Sequence, residues 1–532
     1  MSVRDDRVGV AWWRDAVIYQ IYIKSFADGN GDGVGDIAGM IDHVPDIAAL
    51  GVDAVWVCPW FCSPMRDGGY DITDHRDIDP IFGDVAGAEA FIATCHEHGL
   101  RVLLDFVGNH VSRDHPWFQA ALSSPPGSPE RERFYFAPGH GRDGELPPTD
   151  WPSIFGGSAW TRESPTGEWY VHVFDSSQPD LQWRDDGVRD YVRETFRFWY
   201  DRGVDGFRLD AIPGMGKSGE LIDAHLGSGR FIPEESPDVP FWDRDLVHDV
   251  LREWRAVADE YDPPRFLVGE VVVNSPERER LYTRTDELPS LLAIGLAKAS
   301  FDAHSLGETI RRVHESVTSP AWPTWTVSSH DERRPVSRFA QGDLEQGRRR
   351  SLAVHFLALC LPGTICLYQG DELGLDNVDD LPEQLLQDPI FARTGDRTLS
   401  RDGCRVPLPW SQGPSFGFST GASWLPQPSS WSSLTRERQA NDPHSFLSHL
   451  TRALRSRRRW LNSSSSVEVS YPMTGVLQVA RGGEFACWLN TGDTPVSWPA
   501  SWSLVERSGE GGDVLAPDEA AWFLRSDPSS TP

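Results

Sequence analysis

Short runs of β-branched and apolar residues recur through residue 368, and the stretches between them return their apolar residues at helical spacing. The runs are 16–23, 53–58, 101–106, 205–209, 265–269, 324–328 and 364–368, and the helical stretches include 36–50, 86–98, 188–200, 243–259 and 344–361. Strands that alternate with helices belong to a parallel sheet with helices outside it. With a weaker run near 291–296 the count reaches eight, which predicts an α/β fold of the (β/α)8 barrel type whose last helix is 443–455. A doubly wound open sheet shares this rhythm. At 532 residues the chain has room for two to four domains, one of them a barrel of about 250 residues or more.

The rhythm breaks in three places. Residues 112–174 are rich in Pro, Gly, Ser and Trp and are too long for an ordinary connection, so they read as a subdomain inserted after the third strand, over the barrel mouth. A second irregular stretch, 375–442, should form an extended loop on the same face. After Trp460 short strand-like segments with turn signals (467–469, 475–480, 484–490, 520–524) predict a small antiparallel domain. The expected division is therefore a barrel over 1–110 and 175–459, an insert over 111–174 and a β domain over 460–532. The 22 Trp and 40 Pro suit long ordered loops and aromatic-lined clefts.

Acidic residues exceed basic ones by 29, a balance that repels phosphate backbones and anionic lipid, so neither nucleic acid nor a membrane surface is an expected partner. The first residues lack a basic segment followed by an apolar run, and nowhere do 18 uncharged apolar residues follow one another. A soluble, cytoplasmic protein is expected. The seven cysteines are odd in number and sit beside apolar residues, which reads as reduced, buried thiols.

In barrels the reacting groups sit at the C-terminal ends of the strands. Here those ends carry Asp105 with Asn109 and His110, then Arg208 and Asp210, then Glu270, then His330 and Asp331. Two carboxyl groups can divide glycosidic chemistry, an ionised one attacking the anomeric carbon and a protonated one donating to the leaving oxygen. Arg208 and Asp210 leave the same face of an extended segment, so the cation should hold the carboxylate ionised. Glu270 ends the run Phe-Leu-Val-Gly, where an apolar surrounding should raise its pKa and suit an acid. Spacing alone does not assign the roles.

These segments together resemble the signature regions of glycoside hydrolase family 13, the α-amylase family: DFVGNH, GFRLDAI, VGE and SSHD, in the family's order. Tyr19-Gln-Ile-Tyr22, the segment from Met65 through Tyr70, and Gln178-Pro-Asp-Leu181 match as well. The resemblance implies that Asp210 is the nucleophile, Glu270 the acid/base and Asp331 the stabiliser of the transition state. It implies that Asp67, Tyr70, His110, Arg208, His330 and Arg334 hold the non-reducing glucose. Gln178-Pro-Asp-Leu181 is similar to the fingerprint of the oligo-1,6-glucosidase branch, and the segment from Ser400 to Trp410 resembles actinobacterial α-glucosidases. The implied activity is a retaining, exo-acting α-glucosidase that hydrolyses, and also transfers, terminal glucosyl residues of short α-glucosides, with Ala211 pointing to α-1,4 bonds. A trehalose-forming isomerase, a dedicated transglucosidase and a non-catalytic binding relative are the alternatives.

Three departures from the family pattern stand out: Ser329 before His-Asp, Gln182 at the end of the fingerprint, and Glu332-Arg333 after Asp331. The segment Asp28-Gly-Asn30-Gly-Asp32-Gly-Val34-Gly-Asp36 spaces oxygen donors on alternate residues around glycines, like the first part of an EF-hand loop, although position twelve is Gly39. It resembles the branch's calcium loop, so Asp28, Asn30, Asp32, Val34 and Asp36 are expected to hold a structural Ca²⁺, with Mg²⁺ as the alternative. No organic cofactor is implied.

Overall fold

Eight parallel strands of four to seven residues close on themselves in sequence order, as seen in a computed structural model that describes residues 11–163, 166–227, 229–317, 319–461 and 466–526. They are β1 (Val17–Ile21), β2 (Ala54–Val57), β3 (Arg101–Val107), β4 (Gly206–Asp210), β5 (Phe266–Gly269), β6 (Ser290–Ala293), β7 (Trp322–Thr326) and β8 (Thr364–Tyr368). Closure excludes the open sheet that shares the same rhythm. Strands of such a barrel are buried on both faces, which is why their sequences run apolar rather than alternate. Ile18, Trp56, Leu103, Phe266, Val268, Leu292 and Cys366 fill the interior. Their neighbours Val55, Leu104, Phe207, Leu267 and Ile365 pack outward against the helices.

The helices that face this sheet are α1 (Ile37–Leu50), α2 (Val85–Glu97), α3 (Asp186–Tyr200), α4 (Leu246–Ala258), α5 (Ala303–Glu315), α6 (Leu344–Cys360) and α7 (Phe446–Trp460). Local chemistry sets their ends. Asp36 accepts from the Gly39 amide at 2.7 Å to start α1, and Gly51, at φ 96°, ends it. Register then aligns the chemistry: Asp105 lies opposite Arg208, and Val107 opposite Asp210. Gly206 opens β4 where a Cβ would come within 2.2 Å of the Phe266 carbonyl oxygen.

Between β3 and α3, segments Phe136–Pro138, Glu168–Val171 and Trp160–Arg162 form a three-stranded antiparallel sheet. Trp151 and Trp160 of this region share a core with Phe231, Phe241 and Trp242 from the connection after β4, so the two long loops brace each other. Five further strands, β9 (Val467–Met473), β10 (Val476–Arg481), β11 (Phe485–Asn490), β12 (Trp502–Arg507) and β13 (Glu519–Arg525), form a C-terminal antiparallel sheet. It docks on α6, where the fully buried Trp522 donates to the Phe356 carbonyl at 3.1 Å. All seven cysteines are free and six are buried. Among the described residues no helix is long and apolar enough to cross a membrane.

Candidate active site

The floor of the barrel mouth is organised by Arg208, whose side chain is 1% exposed on β4. Its Nη1 donates to Asp105 Oδ1 at 2.9 Å and to Asp210 Oδ1 at 2.6 Å, and its Nη2 meets Glu270 Oε2 at 2.7 Å. Three carboxylates from three adjacent strands thus share one guanidinium. The backbone turns sharply straight after β4, because Ala211 has φ 45° and ψ 38°, a left-handed conformation uncommon for a residue with a Cβ. That turn aims the Ala211 amide at Glu270 Oε2, 3.2 Å away. Each of the two acidic groups is therefore held by one oxygen, leaving Asp210 Oδ2 and Glu270 Oε1 free of hydrogen bonds among the described residues.

The expected electrostatics need correcting here. Glu270 does not sit in an apolar pocket, since its carboxylate is paired with Arg208. Asp210 is the group whose pKa is raised well above the ordinary aspartate value: burial outweighs Arg208, and the nearby charges of Glu270 and Asp105 add to the rise. Asp105 follows to about 6, again through burial opposed by Arg208.

Asp331, on the loop after β7, is held the opposite way. Its Oδ1 accepts from Arg401 Nη1 and Arg405 Nη2, both at 2.9 Å, and its Oδ2 lies 3.2 Å from His330 Nε2. Burial would raise its pKa, but His330 and the two guanidinium groups hold it well below the ordinary aspartate range. The adjacent Ser329, one of the departures, accepts from the Asp331 amide through its hydroxyl at 3.1 Å. Gln182 lies elsewhere, its backbone amide bonded to the Arg133 carbonyl.

Asp67, Tyr70, His110 and His330 form the wall between these two groups. Tyr70 donates to Asp105 Oδ2 at 2.9 Å, lies 2.7 Å from His330 Nε2 and stacks its ring on that imidazole at 5.3 Å. His110 lies 3.2 Å from the Tyr70 carbonyl and 3.0 Å from the Gln178 amide, which itself donates to Asp67 Oδ2 at 3.1 Å. Burial lowers the pKa of His110 to about 4 and of His330 to about 3, so both are neutral hydrogen-bonding groups near pH 7. Asp67 completes the ring by accepting from Arg401 Nη2 at 2.9 Å.

Arg334 does not belong to this ring. Pro335 opens the short helix Pro335–Phe339 immediately after it, and the Arg334 guanidinium turns instead to the carbonyls of Gln369 and Cys404, each 3.0 Å away. Arg401 and Arg405 stand beside Asp331 in its place. The irregular stretch that carries them has no periodicity from which to place them; the charge pattern Arg-Asp-Gly-Cys-Arg was its one visible signal. Phe155, from the region after β3, covers Arg401 with its ring at 5.3 Å and so closes the wall.

A family model described as the alpha amylase catalytic domain matches residues 20–463. The chain belongs to the α-amylase family, glycoside hydrolase family 13. This family 13 enzyme is 39% identical over 465 residues to a "Probable alpha-glucosidase" of Rhizobium meliloti (strain 1021), covering 84% of this chain and 82% of that protein. It is 32% identical over 480 residues to an "Oligo-1,6-glucosidase" of Parageobacillus thermoglucosidasius, with 84% of each chain covered. In three dimensions it superposes with TM-score 0.88 on the crystal structure of an alpha-glucosyl transfer enzyme at 33% identity, covering 97% of this chain and all of the other.

Away from this site, the loop after β1 was expected to hold a cation. Its donor set of three carboxylates, one amide and one carbonyl suits a hard ion. Much of that capacity is turned inward: Asp28 accepts from the amides of Asn30, Gly31 and Gly33, and Asp36 from those of Gly29, Asn30 and Gly39. Asn30 and Asp32 each accept from the amide two residues on.

Proposed function

We propose that this family 13 enzyme is a retaining α-glucosidase that removes terminal glucosyl residues from short α-glucosides, α-1,4-linked ones preferred. The observation that carries the reading is the single guanidinium that holds both Asp210 and Glu270. Two carboxylates that share one guanidinium are held close together, which supports the short separation of about 5–5.5 Å that retaining enzymes use over the roughly 6.5–9.5 Å that makes room for an attacking water.

In this mechanism Asp210 Oδ2 attacks the anomeric carbon while Glu270 Oε1 passes its proton to the departing glycosidic oxygen. A glucosyl ester on Asp210 results. Glu270, now ionised, takes a proton from water, whose oxygen displaces Asp210, and glucose leaves with its α configuration kept. Asp331, kept ionised by Arg401 and Arg405, binds sugar hydroxyls, as do Asp67, His110 and His330. The contacts that join Asp67, Arg401 and Phe155 link loops around the barrel mouth, which supports a closed-ended glucose pocket and exo action on chain ends. The α-1,4 preference rests on Ala211 alone.

Glucosyl transfer is the second reading, favoured by the likeness to an alpha-glucosyl transfer enzyme. An acceptor hydroxyl then replaces water in the second step. The loop from Asp28 to Asp36 is proposed to hold a structural Ca²⁺ remote from the chemistry, supported by its alternating oxygen donors. A cytoplasmic setting is supported by the seven free thiols.

The test is the product profile from maltose, isomaltose, sucrose and trehalose, with the released anomer read by NMR. α-Glucose released first supports the retaining glucosidase, new oligosaccharides move the reading to transfer, and β-glucose overturns it.

A further inference from the structure

Arg401 reaches Asp67 and Asp331 through opposite ends of its guanidinium, but neither contact explains why the side chain stands there. Those two carboxylates belong to different loops, after β2 and after β7, and both contacts are made by the terminal nitrogens, so neither fixes the backbone or the Nε end of the arginine. A third carboxylate settles the matter. Asp388 is 1% exposed and grips Arg401 at both backbone and side chain: its Oδ2 accepts from the Arg401 amide at 2.6 Å and from Nε at 2.8 Å, and its Oδ1 accepts from Nη2 at 3.0 Å.

Asp388 is itself fixed. Its Oδ1 caps the helix Pro389–Thr394 by accepting from the Ile390 amide at 3.0 Å. Asp402, next to Arg401, returns the hold by accepting from the amides of Gln387 and Asp388 at 2.9 and 3.1 Å. The two segments are thus laced together twice, and Arg401 is left one direction to point. Burial would raise the Asp388 pKa, but the guanidinium of Arg401 keeps it at about 2, so the clamp stays charged at neutral pH.

We propose that Asp388 is a positioning residue for the glucose pocket: by fixing the Arg401 guanidinium it sets how Asp67 and Asp331 are presented to the sugar. The role rests on the glucosidase reading above. Asp388 itself is kept from the substrate by burial and acts only through Arg401, so its removal weakens sugar binding more than it slows the chemical step at Asp210 and Glu270.

The experiment is a double-mutant cycle on the full chain with an aryl α-glucoside as substrate and free glucose as competitive inhibitor. Asp388→Asn keeps the helix cap, since Asn serves as well as Asp there, but weakens the charged fork. Its KM and its glucose inhibition constant should both rise about 10-fold or more, with kcat within about three-fold of the wild type. Arg401→Ala should raise KM and the glucose inhibition constant at least as far as Asp388→Asn does, and the double variant should be no worse than Arg401→Ala alone, because a shared route is lost only once. Arg401→Lys, which keeps the charge but cannot fork, should resemble Asp388→Asn and serves if that variant folds poorly. Losses that add in the double variant, a fall confined to kcat, or Asp388→Asn and Arg401→Lys enzymes with unchanged KM would each overturn the proposal. A wild-type protein that cleaves no α-glucoside would instead defeat the glucosidase reading.

Discussion

Two arginine sites a short way apart treat their carboxylates in opposite ways. On the barrel floor one guanidinium, Arg208, serves Asp105, Asp210 and Glu270. On the wall two guanidinium groups, Arg401 and Arg405, converge on Asp331. On the floor burial outweighs the one shared guanidinium and raises Asp210 and Asp105; on the wall His330 and the two guanidinium groups outweigh burial and lower Asp331. The floor favours protonation of Asp210 and Asp105. On the wall Asp331 stays charged, whereas burial raises Asp67, beside the same Arg401, to about 6.

The largest effects test that contrast at its two ends. Asp210→Asn and Asp331→Asn should each cut turnover of an aryl α-glucoside by about 10,000-fold, as loss of an essential acidic group does. They should differ in stability. Removing Asp210 relieves a crowd of anions, so the melting temperature should hold or rise. Removing Asp331 leaves two guanidinium groups short of a partner and should cost roughly 1–2 kcal/mol, discounted because the Asp331 side chain is 31% exposed. Equal melting temperatures would break the comparison.

A smaller loss, about 100-fold in kcat/KM, is expected for Arg405→Met, since Arg401 remains to hold Asp331. The pH profile sharpens the comparison further. Protonating Asp210 removes the nucleophile, so kcat/KM should fall on the acid side at a pH above the ordinary aspartate value. Asp331, already lowered, should not contribute to that limb, and Arg405→Met should leave it in place. A limb that moves with Arg405 would assign it to the wall instead. The smallest effect concerns the remote loop: a chelator should lower the melting temperature by about a few degrees if Ca²⁺ is held there, with kcat at 25 °C unchanged.

How far the fold could be read from the sequence varied with how much each segment's environment showed in its pattern. Seven barrel strands announce themselves because burial on both faces demands unbroken apolar runs. β6 is only Ser290–Ala293, and the expected 291–296 run on into the short helix Gly295–Lys298 because Ile294 and Leu296 are just as apolar. The last barrel helix lies at Phe446–Trp460 rather than 443–455, set by the Ser445 cap on the Ser448 amide. Helix α5 and strand β12 were not singled out; β12 is an edge strand with exposed residues, where alternation is weak. The floor of the site was legible since each group ends a strand. The wall was not, because Arg401 and Arg405 come from an irregular loop whose course depends on contacts far away in sequence, and nothing in the local pattern shows that the Arg334 guanidinium turns to the carbonyls of Gln369 and Cys404.

The contact between Phe155 and Arg401 joins a segment ahead of Asp210 to one that follows it by nearly two hundred positions. Chimeras with relatives therefore have to exchange both loops as one unit: a transplanted insert alone brings a foreign ring to this arginine, and a transplanted β8 loop alone brings a foreign cation to this ring. Natural drift faces the same constraint, so new specificities in this scaffold should arise through paired changes in the two segments and seldom through either by itself.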